Sequence, residues 1–276
     1  MDKDLFDDIL NEVEVHKLFT PTFWDGAIKE VTKFHSISFC TTCMGRLDDL
    51  AQTLPVNIES NKQYGGDLEF VILNYNSNDN LDTWMLNSMQ EFIDSGEVTY
   101  YKTIEPKYYS MSHSRNIAFK VARGDIVNNI DADNFTNAGF AEHINLLANQ
   151  QPEKAIFAKG KRMLRGRLGF YKKEFIDLLG GYSEDITGYG TEDHDLMYRA
   201  FALGFKMMWY GGTYFNSTKS KKHQIANYFN KDWKYTEKRN KVISLFNIYY
   251  KRYKANSGIE WGKAHLIKNF KEEIDI

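Results

Sequence analysis

Two acidic clusters contain the residue types most able to do chemistry in this sequence. The first is Asp131-Ala132-Asp133, which directly follows an apolar segment, and the second contains Glu192 and Asp193. Two neighbouring carboxylates repel each other unless a cation neutralises them, and Mg²⁺ or Mn²⁺ accepts carboxylate oxygens and bridges to phosphates. A carboxylate that faces a hydroxyl can remove its proton as the oxygen attacks. The clusters therefore indicate metal and phosphate binding at the first and general base catalysis at the second.

Each cluster also has a purely structural interpretation. An Asp-x-Asp tripeptide occurs often by chance as a solvated acidic turn. Thr191 can cap the helix that follows it, and acidic residues in a first helical turn interact favourably with the helix dipole. These residues by themselves leave both interpretations open.

A polar loop and an arginine add context to the acidic clusters. Residues 74–79 read Asn-Tyr-Asn-Ser-Asn-Asp after an apolar segment, and their amide and hydroxyl groups can bind a base or a ribose. The same composition also favours an ordinary hydrophilic turn. Arg115 can hold a phosphate or stabilise the acidic pair by a charge-assisted hydrogen bond, and its alternative is a surface salt bridge of little consequence.

The elements that position these residues alternate along the chain. Apolar segments predict strands at 37–41, 67–74, 97–102, 125–130 and 155–159. Helical spacing of apolar residues predicts helices at 47–54 (ended by Pro55), 81–95, 112–122, 137–149 and 192–203, and the tail from about 225 to 276 is also expected to be helical. This order predicts an α/β fold with a mostly parallel, Rossmann-like sheet flanked by helices. Ligands bind beyond the carboxyl ends of strands in such sheets, which is where 74–79 and 131–133 would lie.

Composition narrows the class of protein. The chain has 276 residues with 42% hydrophobic and 26% charged, which is the ordinary globular mixture. The formal net charge of -2 excludes a general nucleic-acid partner. Cys40 and Cys43 are too few for a disulfide scaffold or a zinc site. The sequence shows neither a secretory leader nor a long apolar run, so we expect a soluble cytoplasmic protein.

In combination, these motifs resemble the family-2 glycosyltransferases of the GT-A fold. The resemblance rests on Thr41-Thr42 after the first strand, the loop 74–79, Ser114-Arg115-Asn116 and Asp131-Ala132-Asp133. The family often has D-D-x-S-x-D in the second loop, and here Asn74 replaces the first Asp. The resemblance covers roughly residues 36–215.

A second resemblance covers the later acidic cluster. Segments 166–171, 180–182 and 188–196 resemble the carboxy-terminal catalytic segment of β-1,4-galactosyltransferases and polypeptide N-acetylgalactosaminyltransferases, whose pattern is close to G-W-G-x-E-D-x-D. Tyr189 stands where those families usually have Trp. The sugar that this resemblance favours is galactose or an N-acetylhexosamine.

The resemblance implies a role for each matched position. The positions that would bind the nucleotide-sugar are Thr41, Thr42, Arg46, Asn74, Ser77, Asp79, Arg115, Asn116, Asp131 and Ala132. Asp131 and Asp133 would ligate Mn²⁺ or Mg²⁺, with His223 as a further ligand. Glu192 would position the acceptor and Asp193 would be the base of an inverting transfer. A cation at Arg115 or Arg46 would stabilise the departing diphosphate.

The sequence therefore predicts a metal-dependent inverting transferase that moves a hexose or N-acetylhexosamine from a UDP-sugar to a glycan or lipid-linked acceptor in bacterial surface polysaccharide synthesis. The alternatives are a retaining nucleotide-sugar transferase, a nucleotidyltransferase, or a non-catalytic glycan- or nucleotide-binding protein. We expect an N-terminal helical extension (1–34), a catalytic domain (35–215) and a basic, aromatic helical tail (216–276) packed on it. That tail can contact the inner face of the plasma membrane.

Overall fold

A central sheet organises the molecule. The computed structural model of the chain describes residues 30–159, 167–218 and 226–276. The strands in these ranges are β1 (Ile37–Cys43), β2 (Leu68–Tyr75), β3 (Val98–Thr103), β4 (Ile126–Asn129), β5 (Asn134–Thr136), β6 (Ala155–Lys159), β7 (Gly169–Tyr171), β8 (Lys206–Tyr210), β9 (Phe215–Ser217), β10 (His265–Lys268) and β11 (Glu272–Asp275). Nine of them form one sheet in the order β11-β10-β3-β2-β1-β4-β7-β6-β8, and β5 pairs with β9 in a separate ribbon.

Helices cover both faces of this sheet. In the same ranges they are α1 (Leu47–Asn61), α2 (Leu81–Ser88), α3 (Gln90–Ser95), α4 (Met111–Val121), α5 (Phe140–Gln150), α6 (Lys172–Asp177), α7 (Glu192–Ala202) and α8 (Trp233–Tyr249), with a 3₁₀ turn at Gly212–Tyr214. Apolar side chains of α1, α2, α3 and α5 share one buried cluster with one face of the sheet. Those of α4, α6 and α7 share a second cluster with the opposite face. None of the helices in the described ranges is long and apolar enough to cross a membrane.

The predicted α/β architecture is confirmed. Strands β1, β2, β3 and β4 pair in parallel, and each expected strand up to residue 159 is present within a few residues of its predicted bounds. Strand β7 is antiparallel to both β4 and β6, so the sheet is mixed at this side. The parallel pairs place the ends of β1 and β4 side by side, as the prediction of a site beyond them requires.

The expected helical tail is only partly correct. Helix α8 is present, but β10 and β11 form an antiparallel hairpin, and β10 pairs with the edge strand β3. Leu266 of β10 is fully buried, and Asn269 and Phe270 have φ of 49° and 62° in the connecting turn. In a short segment rich in Lys and Glu, the spacing of apolar residues does not distinguish a strand from a helix. Residues 265–268 form a strand because they pair with the edge strand β3.

Two further expectations are corrected at the start of the chain. Pro55 lies inside α1, which continues to Asn61 rather than ending at the proline. Residues 30–34 are not helical, and the Asn149 side chain binds the backbone N–H groups of Thr32 and Lys33 at 3.0 and 3.1 Å. The remainder of the expected N-terminal extension, residues 1–29, lies outside the described residues.

Candidate active site

A cleft opens beyond the carboxyl ends of β1 and β4. Its volume is about 510 Å³, and it contains both acidic clusters. The described residues that line it are Thr42, Met44, Gly45, Arg46, Asn78, Tyr109, Met111, Arg115, Asp131, Ala132, Asp133, Arg167, Tyr189, Gly190, Thr191, Glu192, Asp193, His194, Ala226, Asn227, Tyr228 and Glu237. The fold therefore brings together two sequence motifs that are far apart in the chain.

Arg115 joins the two acidic clusters. Its Nη1 donates to Glu192 Oε1 at 3.1 Å and to Asp193 Oδ1 at 2.9 Å, and its Nη2 donates to Asp131 Oδ1 at 3.3 Å. Arg115 is 4% exposed on the buried face of α4. Burial by itself lowers the pKa of this guanidinium, but the carboxylates of Asp193, Asp131 and Glu192 outweigh burial and raise it. Arg115 is therefore charged, and its single guanidinium group bridges the carboxylates of the two clusters.

Asp131 and Asp133 differ in their electrostatics. Burial raises the pKa of Asp131, yet Arg115, Arg167 and a 2.8 Å bond from Asn129 Nδ2 bring it below its ordinary value. Burial and the neighbouring Asp131 charge raise the pKa of Asp133, although Arg46 Nη2 lies 3.2 Å from Asp133 Oδ2. Two negative groups share this site, and the described cations do not fully compensate Asp133.

Glu192 and Asp193 begin helix α7, and the loop before them has a tightly defined backbone. Gly188, Gly190 and Thr191 have φ of 76°, 90° and 81°, the left-handed region that favours glycine and strains threonine. Both carboxylates are buried at this helix start. Burial and the charge of Asp193 raise the pKa of Glu192 to about 7, although Arg115 opposes the shift. Glu192 therefore binds a proton more readily than an exposed glutamate does.

Helix α8 holds this loop in place. The buried Asn240 side chain donates from Nδ2 to the carbonyl oxygens of Thr187 and Gly190, each at 2.9 Å. Thr236 Oγ1 donates to the carbonyl oxygen of Tyr189 at 3.2 Å. Three carbonyl oxygens of the loop are therefore hydrogen-bonded to one helix.

The side chains of the polar loop after β2 accept hydrogen bonds from nearby backbone N–H groups. The Asn74 side chain donates to Asp82 and Tyr100 and accepts from Ser77 N–H at 2.7 Å. Ser77 Oγ accepts from Gly45 N–H at 2.6 Å, and Asp79 Oδ2 accepts from Leu47 N–H at 2.9 Å, at the first residue of α1. Asn74, Ser77 and Asp79 are not among the lining residues, whereas Asn78 of the same loop is.

Two more predicted contacts also lie outside the lining of the cleft. Thr41 Oγ1 donates to the carbonyl oxygen of Ile130 at 2.8 Å, which joins β1 to the end of β4. The Asn116 side chain binds the backbone of Tyr182 and the carboxylate of Glu184. The neighbouring Thr42 does line the cleft, where its hydroxyl lies 2.7 Å from Tyr109 Oη.

The first acidic cluster fits a divalent cation held by two aspartates. Mg²⁺ characteristically takes one or two carboxylates and completes its shell with water and substrate phosphates. The residues that the structure describes contain no group of three His, Cys, Asp or Glu able to hold a metal. His223, the expected further ligand, lies outside the described residues. The fit therefore rests on Asp131 and Asp133, whose shared negative charge raises the pKa of Asp133.

The sequence analysis did not predict that three tyrosines and Arg167 line the cleft. The rings of Tyr109 and Tyr228 lie 5.5 Å apart, and those of Tyr189 and Tyr228 lie 6.1 Å apart. The Tyr109 N–H donates to the carbonyl oxygen of Asn227 at 2.8 Å, a pairing between distant parts of the chain that no local pattern indicates. Arg167 did carry a signal, because it lies within the glycine-containing segment 166–171.

Two family models match segments of the sequence. A model described as "Glycosyltransferase like family 2" matches residues 48–158, and one described as "N-terminal domain of galactosyltransferase" matches residues 156–224. The two matches adjoin and contain the two acidic clusters in turn. A search of curated proteins finds no match.

Several solved structures share this fold at low sequence identity. TarS 1–349 from S. aureus, in complex with UDP-GlcNAc, is 13% identical over 73% of this chain, with a TM-score of 0.58. The mannosyltransferase PcManGT from Pyrobaculum calidifontis, in complex with GDP-Man and Mn²⁺, is 20% identical over 79% of this chain, with a TM-score of 0.57. The chain covers 64% of the TarS fragment and 66% of PcManGT.

A third structure, GalNAc-T7 with UDP, GalNAc and Mn²⁺, is 13% identical over 64% of this chain and 43% of its own length, with a TM-score of 0.52. These likenesses confirm the α/β fold. The family models show that residues 48–158 and 156–224, which contain the two acidic clusters, are similar to glycosyltransferase sequences.

Proposed function

We propose that the protein is a metal-dependent, inverting glycosyltransferase that moves a hexose or N-acetylhexosamine from a UDP-sugar to a glycan or lipid-linked acceptor. One observation carries the proposal: Arg115 binds Asp131 on one side and Glu192 and Asp193 on the other, within a single cleft. A donor bound at the first cluster would meet an acceptor bound at the second, with the reacting carbon between them.

The reaction needs a base on the side of the sugar opposite the diphosphate. Asp193 would take the proton of the acceptor hydroxyl as its oxygen bonds to the anomeric carbon. The bond from that carbon to the diphosphate oxygen breaks, and its electron pair leaves with UDP. Attack from the face opposite the leaving group inverts the configuration. Glu192, whose pKa is raised by burial and by the Asp193 charge, would hydrogen-bond the acceptor.

Charge balance supports a metal at Asp131 and Asp133. The described residues that line the cleft include five carboxylates and three guanidinium groups. The excess negative charge would repel a diphosphate unless a cation binds with it. Mn²⁺ or Mg²⁺ would supply several kcal/mol of stabilisation to the charge on the departing oxygen. We infer that Asp131 and Asp133 hold this ion.

The donor class follows from the comparisons. TarS and GalNAc-T7 were solved with uridine nucleotides, and PcManGT with GDP-Man. The match of residues 156–224 to a galactosyltransferase model favours galactose or an N-acetylhexosamine. We therefore place UDP-linked sugars first among donors to be tested, and GDP-Man is the comparison donor.

Asp193→Asn tests the proposal directly. We expect transfer from the UDP-sugar to fall by about 10²–10⁴-fold, while the affinity for UDP with Mn²⁺, measured by calorimetry, changes by less than about threefold. The substitution keeps the size of the side chain and an oxygen that Arg115 can bind. The exposed Asp232→Asn is the matched control, which leaves both quantities unchanged. Near-normal transfer by the Asp193→Asn enzyme would exclude Asp193 as the base.

Two alternatives give different results in the same experiment. A non-catalytic glycan- or nucleotide-binding protein would bind UDP without transfer in the wild type as well. A nucleotidyltransferase would release pyrophosphate from a nucleoside triphosphate and a sugar phosphate. Product configuration, read by NMR of the new glycosidic bond, separates an inverting from a retaining enzyme.

We further propose that the tail contacts anionic lipid at the cytoplasmic face of the plasma membrane, where a lipid-linked acceptor in bacterial polysaccharide synthesis would be found. Its exposed residues combine rings with cations: Phe229, Trp233, Lys234, Tyr235, Arg239, Lys241, Tyr249 and Tyr250. Basic residues near an anionic surface contribute about 1 kcal/mol each, and aromatic rings insert at the interface. Binding thus needs anionic lipid.

Vesicle sedimentation checks this tail proposal. We expect binding to vesicles with anionic lipid and little binding to neutral ones. Reversing Lys234 and Lys241 to Glu lowers the partition coefficient by roughly 10²-fold or more. The matched control reverses two exposed lysines outside the tail, Lys62 and Lys173. Equal binding to neutral and anionic vesicles would contradict the proposal.

A further inference from the structure

The guanidinium groups of the cleft differ in what they bind. Arg115 is buried and is shared among three carboxylates. Arg46 donates from Nε to Asp49 at 2.7 Å and from Nη2 to Asp133 at 3.2 Å. Each of these cations is therefore paired with carboxylates of the protein. When a metal takes Asp131 and Asp133, Arg46 still has Asp49 as a partner, and Arg115 still has Glu192 and Asp193. This argues against both sequence-based candidates for the cation that stabilises the diphosphate.

Arg167 has only neutral partners among the described residues. Its Nε donates to Asn134 Oδ1, and its Nη2 donates to Ser217 Oγ at 3.3 Å. Its guanidinium carbon lies 5.4 Å from the centre of the Phe215 ring. No hydrogen bond to the described residues engages Nη1, and the side chain is half-buried in the wall of the cleft. The group is held in one orientation with donors remaining for a ligand.

Arg167 also lies beside the proposed metal site. The Asn134 side chain that accepts from its Nε donates from Nδ2 to Asp133 Oδ1 at 2.9 Å, so one amide links the two. Arg167 is among the charges that lower the pKa of Asp131 below its ordinary value despite burial. A planar guanidinium matches two phosphate oxygens at once, which an ammonium group cannot do.

We propose that Arg167 binds the terminal phosphate of the donor's nucleoside diphosphate and stabilises it as the leaving group. This inference rests on the proposed function, because it assumes that the diphosphate lies beside Asp131 and Asp133. The phosphate would accept from the donors of Arg167 that face the cleft, on the side away from Asp193. Arg167 would then be the cation that accompanies the metal at the breaking bond.

The affinities for UDP and UMP separate this role from others, because the two nucleotides differ by one phosphate. We would measure both dissociation constants by calorimetry, with the same Mn²⁺ concentration throughout, for the wild type and Arg167→Met. Methionine keeps an apolar stem over Phe215 and removes the cation. We expect the preference for UDP over UMP to fall by roughly 10- to 150-fold, the range for a lost charge-assisted hydrogen bond. The affinity for UMP changes by less than about threefold.

Ser217→Ala is the matched control. It removes a hydrogen-bond partner that Arg167 and Asn134 share at the end of β9, but it keeps the cation. We expect its preference for UDP to equal that of the wild type. If both variants lose the preference equally, Arg167 acts only as a link between β5 and β9, and the inference is wrong.

Three other outcomes are decisive. An unchanged preference in Arg167→Met would overturn the inference and leave the proposed function intact. A wild type that binds neither UDP nor GDP would overturn the proposed function and this inference with it. If Arg167→Met fails to fold, Arg167→Gln decides the question, because it removes the charge but keeps an amide that can donate a hydrogen bond. We expect a comparable loss in the same ratio, and an unchanged ratio would overturn the inference.

Discussion

Replacing Glu192 with Gln should stabilise the protein at alkaline pH. Burial and the Asp193 charge raise the pKa of Glu192 from 4.5 to about 7. One pKa unit corresponds to 1.36 kcal/mol, so keeping Glu192 ionised in the folded state costs about 3 kcal/mol. Gln has nearly the same shape, carries no charge and retains an oxygen for Arg115. The variant therefore avoids this cost.

The sign of the effect follows from proton binding. The folded pKa lies above the unfolded one, so between pH 4.5 and about 7 the folded state binds more protons than the unfolded state. The contribution of Glu192 to stability is therefore greatest below this window and is lost as the pH rises through it. The variant lacks this dependence. Relative to the wild type, its free energy of unfolding should increase by about 2–3 kcal/mol between pH 5 and pH 8.

Urea unfolding at pH 5, 6, 7 and 8 measures this difference, and comparison with the wild type cancels the titration of other groups. The exposed Glu260→Gln is the control, and its difference from the wild type should stay within about 0.5 kcal/mol at every pH. A flat difference for Glu192→Gln, or one that falls as the pH rises, would refute the reasoning. The variant should also transfer sugar more slowly, because a catalytic site commonly trades stability for function.

Three more predictions concern the loop and the metal. In urea unfolding, Gly188→Ala should lower the stability of the protein by at least about 1 kcal/mol more than the control Gly96→Ala does. Both glycines have positive φ, but only at Gly188 would the added Cβ meet another atom closely, at 2.8 Å from Thr236 Cγ2. Asn240→Ala should cost about 1–3 kcal/mol, measured in the same way, and should lower kcat more than it raises KM. Asp133→Ala or EDTA should lower turnover by roughly 10²-fold or more in a sugar-transfer assay, and full activity in EDTA would contradict the proposed metal.

The sequence predicts the helices and strands whose own residues show the spacing of apolar side chains that is typical of a helix or a strand. Strands β1 to β4 are almost entirely buried, and they are rich in apolar, β-branched and aromatic residues, although β4 also contains two asparagines. The helices between them have apolar residues at helical spacing. β10 and β11 have no such signal, because only Leu266 is fully buried and the pairing with β3 is a long-range contact. The local sequence pattern cannot predict a strand that forms because it pairs with the exposed edge of a sheet, as β10 does with β3.

The candidate site shows the same division. Asp131, Asp133, Glu192 and Asp193 could be found because acidic motifs at strand and helix ends are visible in the sequence. Their joint contact with Arg115 could not, because it depends on how α4 faces α7. The polar residues 74–79 were expected to bind the nucleotide, yet their side chains mostly satisfy backbone groups. Asn, Ser and Asp are suited to both tasks, and composition does not distinguish them.

The attachment of the chain's last fifty or so residues has a practical consequence. Without residues 226–276, β3 would present an unpaired edge to solvent, and the carbonyl oxygens of Thr187 and Gly190 would lose their Asn240 donor. A bare edge strand recruits other chains, so a shortened protein should aggregate, and it should also lose the support of the loop that precedes Glu192 and Asp193. Trimming to the residues 48–224 that the family models match would therefore remove parts on which solubility and turnover both depend.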